Sequence, residues 1–172
     1  LGKSIQKDIE LEIVGERSLE GQIALDHYRD IIIPIVRNCC DHGIEEPMIR
    51  TERGKTIKGK IVFKVNLKKD WLFIEISDDG GGIDTFKIKS HALSAGNLNW
   101  EDFYGMTNSQ INELIFEPGF STSSILSKIS GRGYGMDIVK ALVRDKGGNI
   151  TVDSTKGVGT IFKIKLPFFN VS

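Results

Sequence analysis

The sequence predicts an α+β fold, a two-layer α/β sandwich whose mixed, mostly antiparallel sheet carries its helices on one face. Three observations predict it. Short segments alternate apolar and polar residues, other segments repeat apolar residues at helical spacing, and two central strands lie close enough to pair as a hairpin. The 172 residues fit one domain, 1–172, with a core of its own.

Each element has its own signal. Ile9, Leu11 and Ile13 alternate with Asp8, Glu10 and Glu12, the pattern of a half-buried strand. From Asp26 to His42, Tyr28, Ile32, Ile35 and Cys39 recur at helical spacing. Gly43, Pro47 and Gly54 mark a loop. Ile61, Phe63, Val65 and Leu67 make a second strand, and Leu72, Ile74 and Ile76 a third, joined through Lys68-Lys69-Asp70. A helix is expected from Thr85 to Ala95. Residues 97–133 are rich in Gly, Ser, Asn and Thr, with a short helix near Ser109–Phe116. So long a weakly structured stretch in a compact domain is usually functional, often a lid. Tyr134 to Lys146 reads as a helix ended by Gly147-Gly148, and Asn149–Asp153 and Thr160–Leu166 as closing strands.

Composition narrows the function. At 40% hydrophobic and 27% charged residues, the chain is neither disordered nor membranous. Lys plus Arg equal Asp plus Glu at 23 each, so no global positive field points to nucleic acid. No apolar run is long enough to span a bilayer and no signal-peptide pattern opens the chain, so a cytoplasmic location without membrane contact is expected. A start at Leu1 suggests a piece of a longer protein. Cys39 and Cys40 have no companions for a zinc cage or a disulfide scaffold, and read as small apolar residues of a cytosolic core.

Chemistry starts on the first helix, where positions 34, 38, 41 and 45 fall on one face, opposite much of the apolar stripe. Asn38 offers a carbonyl oxygen to a hard cation, and Mg²⁺ takes few protein ligands when phosphates supply the rest. Asp41 and His42 follow one turn on, within reach of water, metal or phosphate; equally, all three residues could face solvent or cap the helix. The third strand runs into Asp78-Asp79-Gly80-Gly81-Gly82. A carboxylate at a buried strand end can accept from an amino group such as that of adenine. Gly80 and Gly82 would let the backbone approach a flat ring on which Ile83 could pack, whereas in isolation the same run reads as a solvated glycine turn. Gly131, Gly133 and Gly135 precede a helix and would expose backbone N–H groups to phosphate. Neither a dinucleotide fingerprint nor a P-loop is present there.

Five motifs occur in one order: RNCCDHG (37–43), DDGGGID (78–84), FEPGFST (116–122), SGRGYGMD (130–137) and GVGT (157–160). Together they resemble the N box, first glycine box, F box and second and third glycine boxes of the ATP-binding catalytic domain of CheA-type chemotaxis histidine kinases. These belong to the wider gyrase/Hsp90/histidine kinase/MutL ATPase superfamily. The resemblance covers nearly all of the chain, and DHGIE with PGFST and SGRGYGMD points to the CheA branch.

The resemblance implies the histidine kinase ATPase type of sandwich, with ATP and Mg²⁺ as ligands. It implies that Asn38 holds the metal and that Asp78 reads the adenine amine, with Thr160 nearby through water. Gly80 and Gly82 would floor the adenine pocket. His42 and Lys87 match positions that approach the phosphates, which makes His42 and Asn38 the catalytic candidates. Gly131, Gly133 and Gly135 would let a lid, about residues 117–135, fold over the phosphates, and Met136 would lie beside the base.

Two positions depart from the family. Four residues before the N-box asparagine, where CheA-type kinases carry a histidine and most related kinases a glutamate, stands Pro34. Proline cannot accept a proton, and within a regular helix it costs ~3 kcal/mol, so the helix should kink or start late. His91 stands where many CheA proteins have a lysine near the phosphates.

Three functions follow. The first is transfer of the ATP γ-phosphate to a histidine on a separate phosphoacceptor domain, with a response regulator downstream and this domain monomeric in isolation. The second is a nucleotide-binding module with weak or no kinase activity, because of Pro34. The third, an ATP-hydrolysing clamp of the gyrase or MutL kind, is disfavoured, because the carboxylate that would activate water is missing at Pro34.

Overall fold

The computed structural model describes residues 7–15, 25–94, 96, 98–118, 120 and 135–168. Five strands form one sheet: β1 (Ile9–Gly15), β2 (Gly59–Lys68), β3 (Trp71–Asp78), β4 (Asn149–Thr155) and β5 (Gly159–Pro167). Their order is β1-β2-β3-β5-β4, with β1 parallel to β2 and every other pair antiparallel. The mixed, mostly antiparallel α+β sandwich is therefore the observed fold. Lys69 turns the β2–β3 hairpin with a φ of 55°.

The helices are α1 (Arg29–Asn38), α2 (Pro47–Glu52), α3 (Thr85–Ser94), α4 (Asn108–Glu113) and α5 (Met136–Asp145). Ile31, Ile35 and Cys39 on the first helical segment and Val139 and Val143 on α5 are fully buried against Ile61, Leu72, Ile74, Ile76 and Phe162 of the sheet. The sheet face that no described helix covers is polar and amphipathic: Lys64 pairs with Glu75, Lys163 with Asp153, and Lys165 lies 4.1 Å from the Trp71 ring centroid. None of the described helices is long and apolar enough to cross a membrane.

Several expectations need correction. β1 forms, but it is not half-buried: Leu11 and Ile13 are 55% and 72% exposed. They stand opposite Ile61 and Phe63, yet β1 is the sheet edge and no described element covers it. The segment marked as a loop by Gly43, Pro47 and Gly54 contains α2, entered through Pro47 in its first turn. Residues 98–118 are more ordered in secondary structure than their composition suggests. Thr107 and Gln110 form a capping box at the start of α4, and Ala92, Phe103, Ile111 and Phe120 make a second small core.

Of the two outcomes expected from Pro34, a kink or a late start, the late start is not found: α1 begins at Arg29, five residues before the proline. A 3₁₀ turn (Leu25–Tyr28) precedes α1, which then runs through Pro34. The Asp30 carbonyl thereby loses the i+4 donor it would have in a regular helix. Beyond Asn38 the chain widens into a π turn, Cys39–Gly43, closed by Ile44 N–H donating to Cys39 O at 2.8 Å. That widening breaks the expected single face. Pro34, Asn38 and Asp41 share a cleft wall, while Glu45 is turned away to Arg50.

Candidate functional site

A cleft of about 880 Å³ lies between the first helical segment, the turn after β3, α3 and the start of α5. One wall is helical and carries Asp30, Pro34, Asn38, Asp41 and His42. The opposite wall carries Asp84, Lys87 and His91, and between them lie Asp78, Gly82, Ile83, Met136 and Thr160. Most residues singled out in the sequence are thus brought to one cavity by elements far apart in the chain. Gly131 and Gly133 lie outside the described residues, as does nearly all of the expected 117–135 lid; Gly135 lines the cleft and is the N-cap of α5.

Asp78 is the best-defined member. It is the last residue of β3, 8% exposed, paired with Ile61 on one side and Thr160 on the other. Burial pushes its carboxyl above the usual carboxylate range, against the pull of the Gly80 N–H, the Cys39 thiol and the Thr160 N–H. Its Oδ1 accepts from Gly80 N–H at 2.9 Å. Burial and the Asp78 charge in turn push the Cys39 thiol far up, consistent with an inert core residue.

The two glycines next to Asp78 have different tasks. Gly82 lines the cleft with a φ of 68°, and a Cβ there would collide with the Thr155 carbonyl. Gly80 does not line the cleft. It is packed behind it, where a Cβ would strike the carbonyl of Gly43. Ile83 is fixed by its N–H, which donates to Ser154 Oγ at 2.8 Å. Ser154 Oγ also lies 3.1 Å from Thr160 Oγ1, so one hydroxyl ties the cleft floor to β5.

Across the cleft, Asp84 accepts from the N–H of Phe86 at 3.0 Å at the start of α3. A hydrogen bond from Lys156 holds its carboxyl below the usual range. Lys87 is exposed and lines the cleft, and so does His91, whose buried Nδ1 has no partner among the described residues. The His91 ring is 5.8 Å from that of Phe120. Sequence reasoning did not single out Asp30, Arg37 or Ser154. The first two could have been found by extending the helical face one turn back and one residue sideways; Ser154 had no local signal.

The donor set suits a nucleotide. A buried carboxylate can accept from a base amine, and the exposed Lys87 in the same cleft can meet phosphate. No group of three or more His, Cys, Asp or Glu among the described residues is arranged to hold a metal ion. A single amide ligand with phosphate oxygens is the arrangement such a wall can offer.

Comparison with known proteins agrees. Chemotaxis protein CheA of Bacillus subtilis is 41% identical over 167 residues, covering 97% of this chain and 25% of that protein. Sensor histidine kinase CheAY of Helicobacter pylori is 40% identical, covering 97% of this chain and 21% of that protein. The chain thus spans about a quarter or less of the curated relatives it matches. Full-length ShkA, solved in complex with AMPPNP, shares the fold with a TM-score of 0.60 at 17% identity, covering 96% of this chain and 27% of that one. With residues 26–170 matched by the family of histidine kinase-, DNA gyrase B- and HSP90-like ATPases, the chain belongs to that family, as an ATP-binding catalytic domain of the CheA type.

Proposed function

We propose that this domain binds ATP with magnesium and passes the γ-phosphate to a histidine on a separate phosphoacceptor domain, in chemotaxis-type two-component signalling. The observation that carries the reading is the convergence of Asp78, Asn38, His42 and Lys87 on one cleft. Asp78 accepts from the adenine amine, Ile83 and Met136 flank the base, and Gly82 lets the floor come close. Lys87, His42 and the first N–H groups of α5, behind Gly135, meet the phosphates. Asn38 would hold magnesium, which when bound neutralises phosphate charge. Asp41 stands a turn beyond Asn38 to orient water. Phosphoryl transfer rests mainly on such positioning and charge stabilisation. In this reading Gly131 and Gly133 belong to a lid of about 117–135, and the phosphorylated histidine in turn serves a response regulator.

Pro34 supports a second reading. It lines the cleft one turn before Asn38, where the resembling kinases carry an imidazole or carboxylate. A nucleotide-binding module with weak or no transfer is what such a wall would give. The two readings separate on incubation with labelled ATP and the phosphoacceptor domain of the same parent protein. Label on the acceptor histidine supports the kinase; nucleotide binding without label supports the module.

A further inference from the structure

Behind the cleft lies a buried ion cluster that the proposed function does not use. Arg50 on α2 is 1% exposed, and all five of its N–H groups are engaged. Nε donates to Thr56 O at 2.7 Å, Nη1 to Glu45 Oε2 at 3.1 Å and Asp79 O at 3.2 Å, and Nη2 to Asp79 Oδ2 at 2.8 Å and Lys58 O at 3.3 Å. Lys55 Nζ is saturated too: it donates to Glu45 Oε1 at 3.0 Å, Asp79 O at 2.8 Å and Gly80 O at 2.7 Å.

Three features single out the turn after β3 as the target of this cluster. The Asp79 carbonyl receives both cations, and the Gly80 carbonyl receives Lys55. The remaining Asp79 carboxylate oxygen accepts from Lys60 N–H at 2.9 Å. Gly81 N–H then donates to Gly43 O, at the end of the π turn. Every described polar contact of residues 79 and 80 points away from the cleft, except that Gly80 N–H points back onto Asp78. The cluster thus fixes the peptide units that aim the Asp78 carboxylate, and joins them to the helix end that carries Asn38 and His42.

We propose that the Glu45–Arg50–Lys55 cluster is a positioning device that sets the place of Asp78 and thereby the selectivity of the cleft for adenine over guanine nucleotides. This rests on the nucleotide-binding reading above. Glu45 and Arg50 act through Asp79 and Gly80, without touching the ligand. It also gives a task to the glutamate of the DHGIE run, which the cleft leaves unexplained.

The test is calorimetry of this chain with ATP and with GTP, in the native protein and in Lys55→Met, Lys55→Arg and Glu45→Gln. The measurements are made well below each variant's melting temperature. Lys55→Met should weaken ATP binding by about tenfold or more, since small misplacements of a positioning group are costly. GTP binding should change little, so the ATP:GTP ratio falls. Glu45→Gln, which leaves Arg50 in place, should lower the ratio in the same direction, and Lys55→Arg should restore part of it. A merely structural cluster would lower the melting temperatures and leave the ratio unchanged, and that result overturns the proposal. Failure of the native protein to bind ATP would overturn the nucleotide reading and this one together, so the two failures are distinct.

Discussion

Gly81 donates its main-chain N–H to the carbonyl oxygen of Gly43 at 2.9 Å, so the turn after β3 and the end of the first helical segment are one unit. Beside this bond, neither Gly43 nor Gly80 has room for a side chain. A Cβ on Gly43 would lie 2.8 Å from Asp78 Oδ2, and one on Gly80 would strike the Gly43 carbonyl and lie 2.8 Å from Asp78 Oδ1. Gly80→Ala meets backbone that cannot yield, and should cost about 1–3 kcal/mol of stability, the usual range for overpacking. Gly43→Ala meets the carboxylate, and should weaken ATP binding more than it lowers stability. Urea midpoints and calorimetry on both variants check this; an unchanged midpoint for Gly80→Ala would contradict the contact.

Adenine preference should depend on Asp78. Its carboxylate is buried, and Asp78→Asn would put a donor where the base amine also donates, leaving one buried group unsatisfied at a cost of about 1–3 kcal/mol. ATP should therefore bind the native protein more tightly than GTP does, and Asp78→Asn should lose most of that difference. Equal affinity of the native protein for both nucleotides would refute the role.

Asn38 lines the cleft between Pro34 and Asp41, on the wall nearest the expected phosphates. Asn38→Ala should lower ATP affinity in magnesium while leaving affinity in EDTA nearly unchanged. Parallel losses in the two conditions would mean that Asn38 contacts the nucleotide or the backbone and not the ion.

Acid should weaken the ion cluster through Glu45. Burial raises its carboxyl, but hydrogen bonds from Lys55, its own main-chain N–H and Arg53, with the Lys55 charge, outweigh burial and leave it below the ordinary 4.5. A carboxyl depressed in the folded state adds stability that is fully present above its unfolded value and fades as pH falls through its folded value. The melting-temperature gap between native protein and Glu45→Gln should thus be largest above pH 4.5 and shrink as the pH drops below it. A gap that is constant with pH would show that the loss in Glu45→Gln is not ionic.

The sheet was legible because strand alternation is a local signal, and the β2–β3 hairpin and closing strands follow it closely. The burial of β1 was not: Leu11 and Ile13 alternate correctly, but exposure depends on what covers an edge. Likewise Asn38, Asp41 and Asp78 could be picked out from motif and helical face, whereas Glu45 was placed on the wrong side. A π turn adds a residue to the helical turn, and nothing in CCDHG announces it. Arg50 carries no signal in the sequence that marks it for burial. Its burial comes from five acceptors contributed by four residues, of which Asp79 lies 29 positions away and the other three within eight, at spacings that form no recognisable pattern.

Pro34 should separate binding from chemistry. It lies on the cleft wall one turn before Asn38, so a side chain at this position faces the region where the metal-bound phosphates are expected. Binding relies on Asp78, Gly82 and Asn38, none of which needs a proton acceptor at position 34. Transfer to a histidine gains from a polar group that orients the incoming imidazole, and acid–base assistance is typically worth about 10²–10⁴-fold. Near-normal ATP affinity with slow phosphotransfer is therefore expected of the native sequence. Pro34→His and Pro34→Glu should speed transfer with little change in affinity, and should also return the helical N–H that Asp30 O lacks. The comparison needs the cognate phosphoacceptor domain, with transfer followed as acid-labile label on its histidine. Rapid transfer by the native protein, unimproved by either substitution, would show that His42 or Asp30, on the same wall, already fills the role.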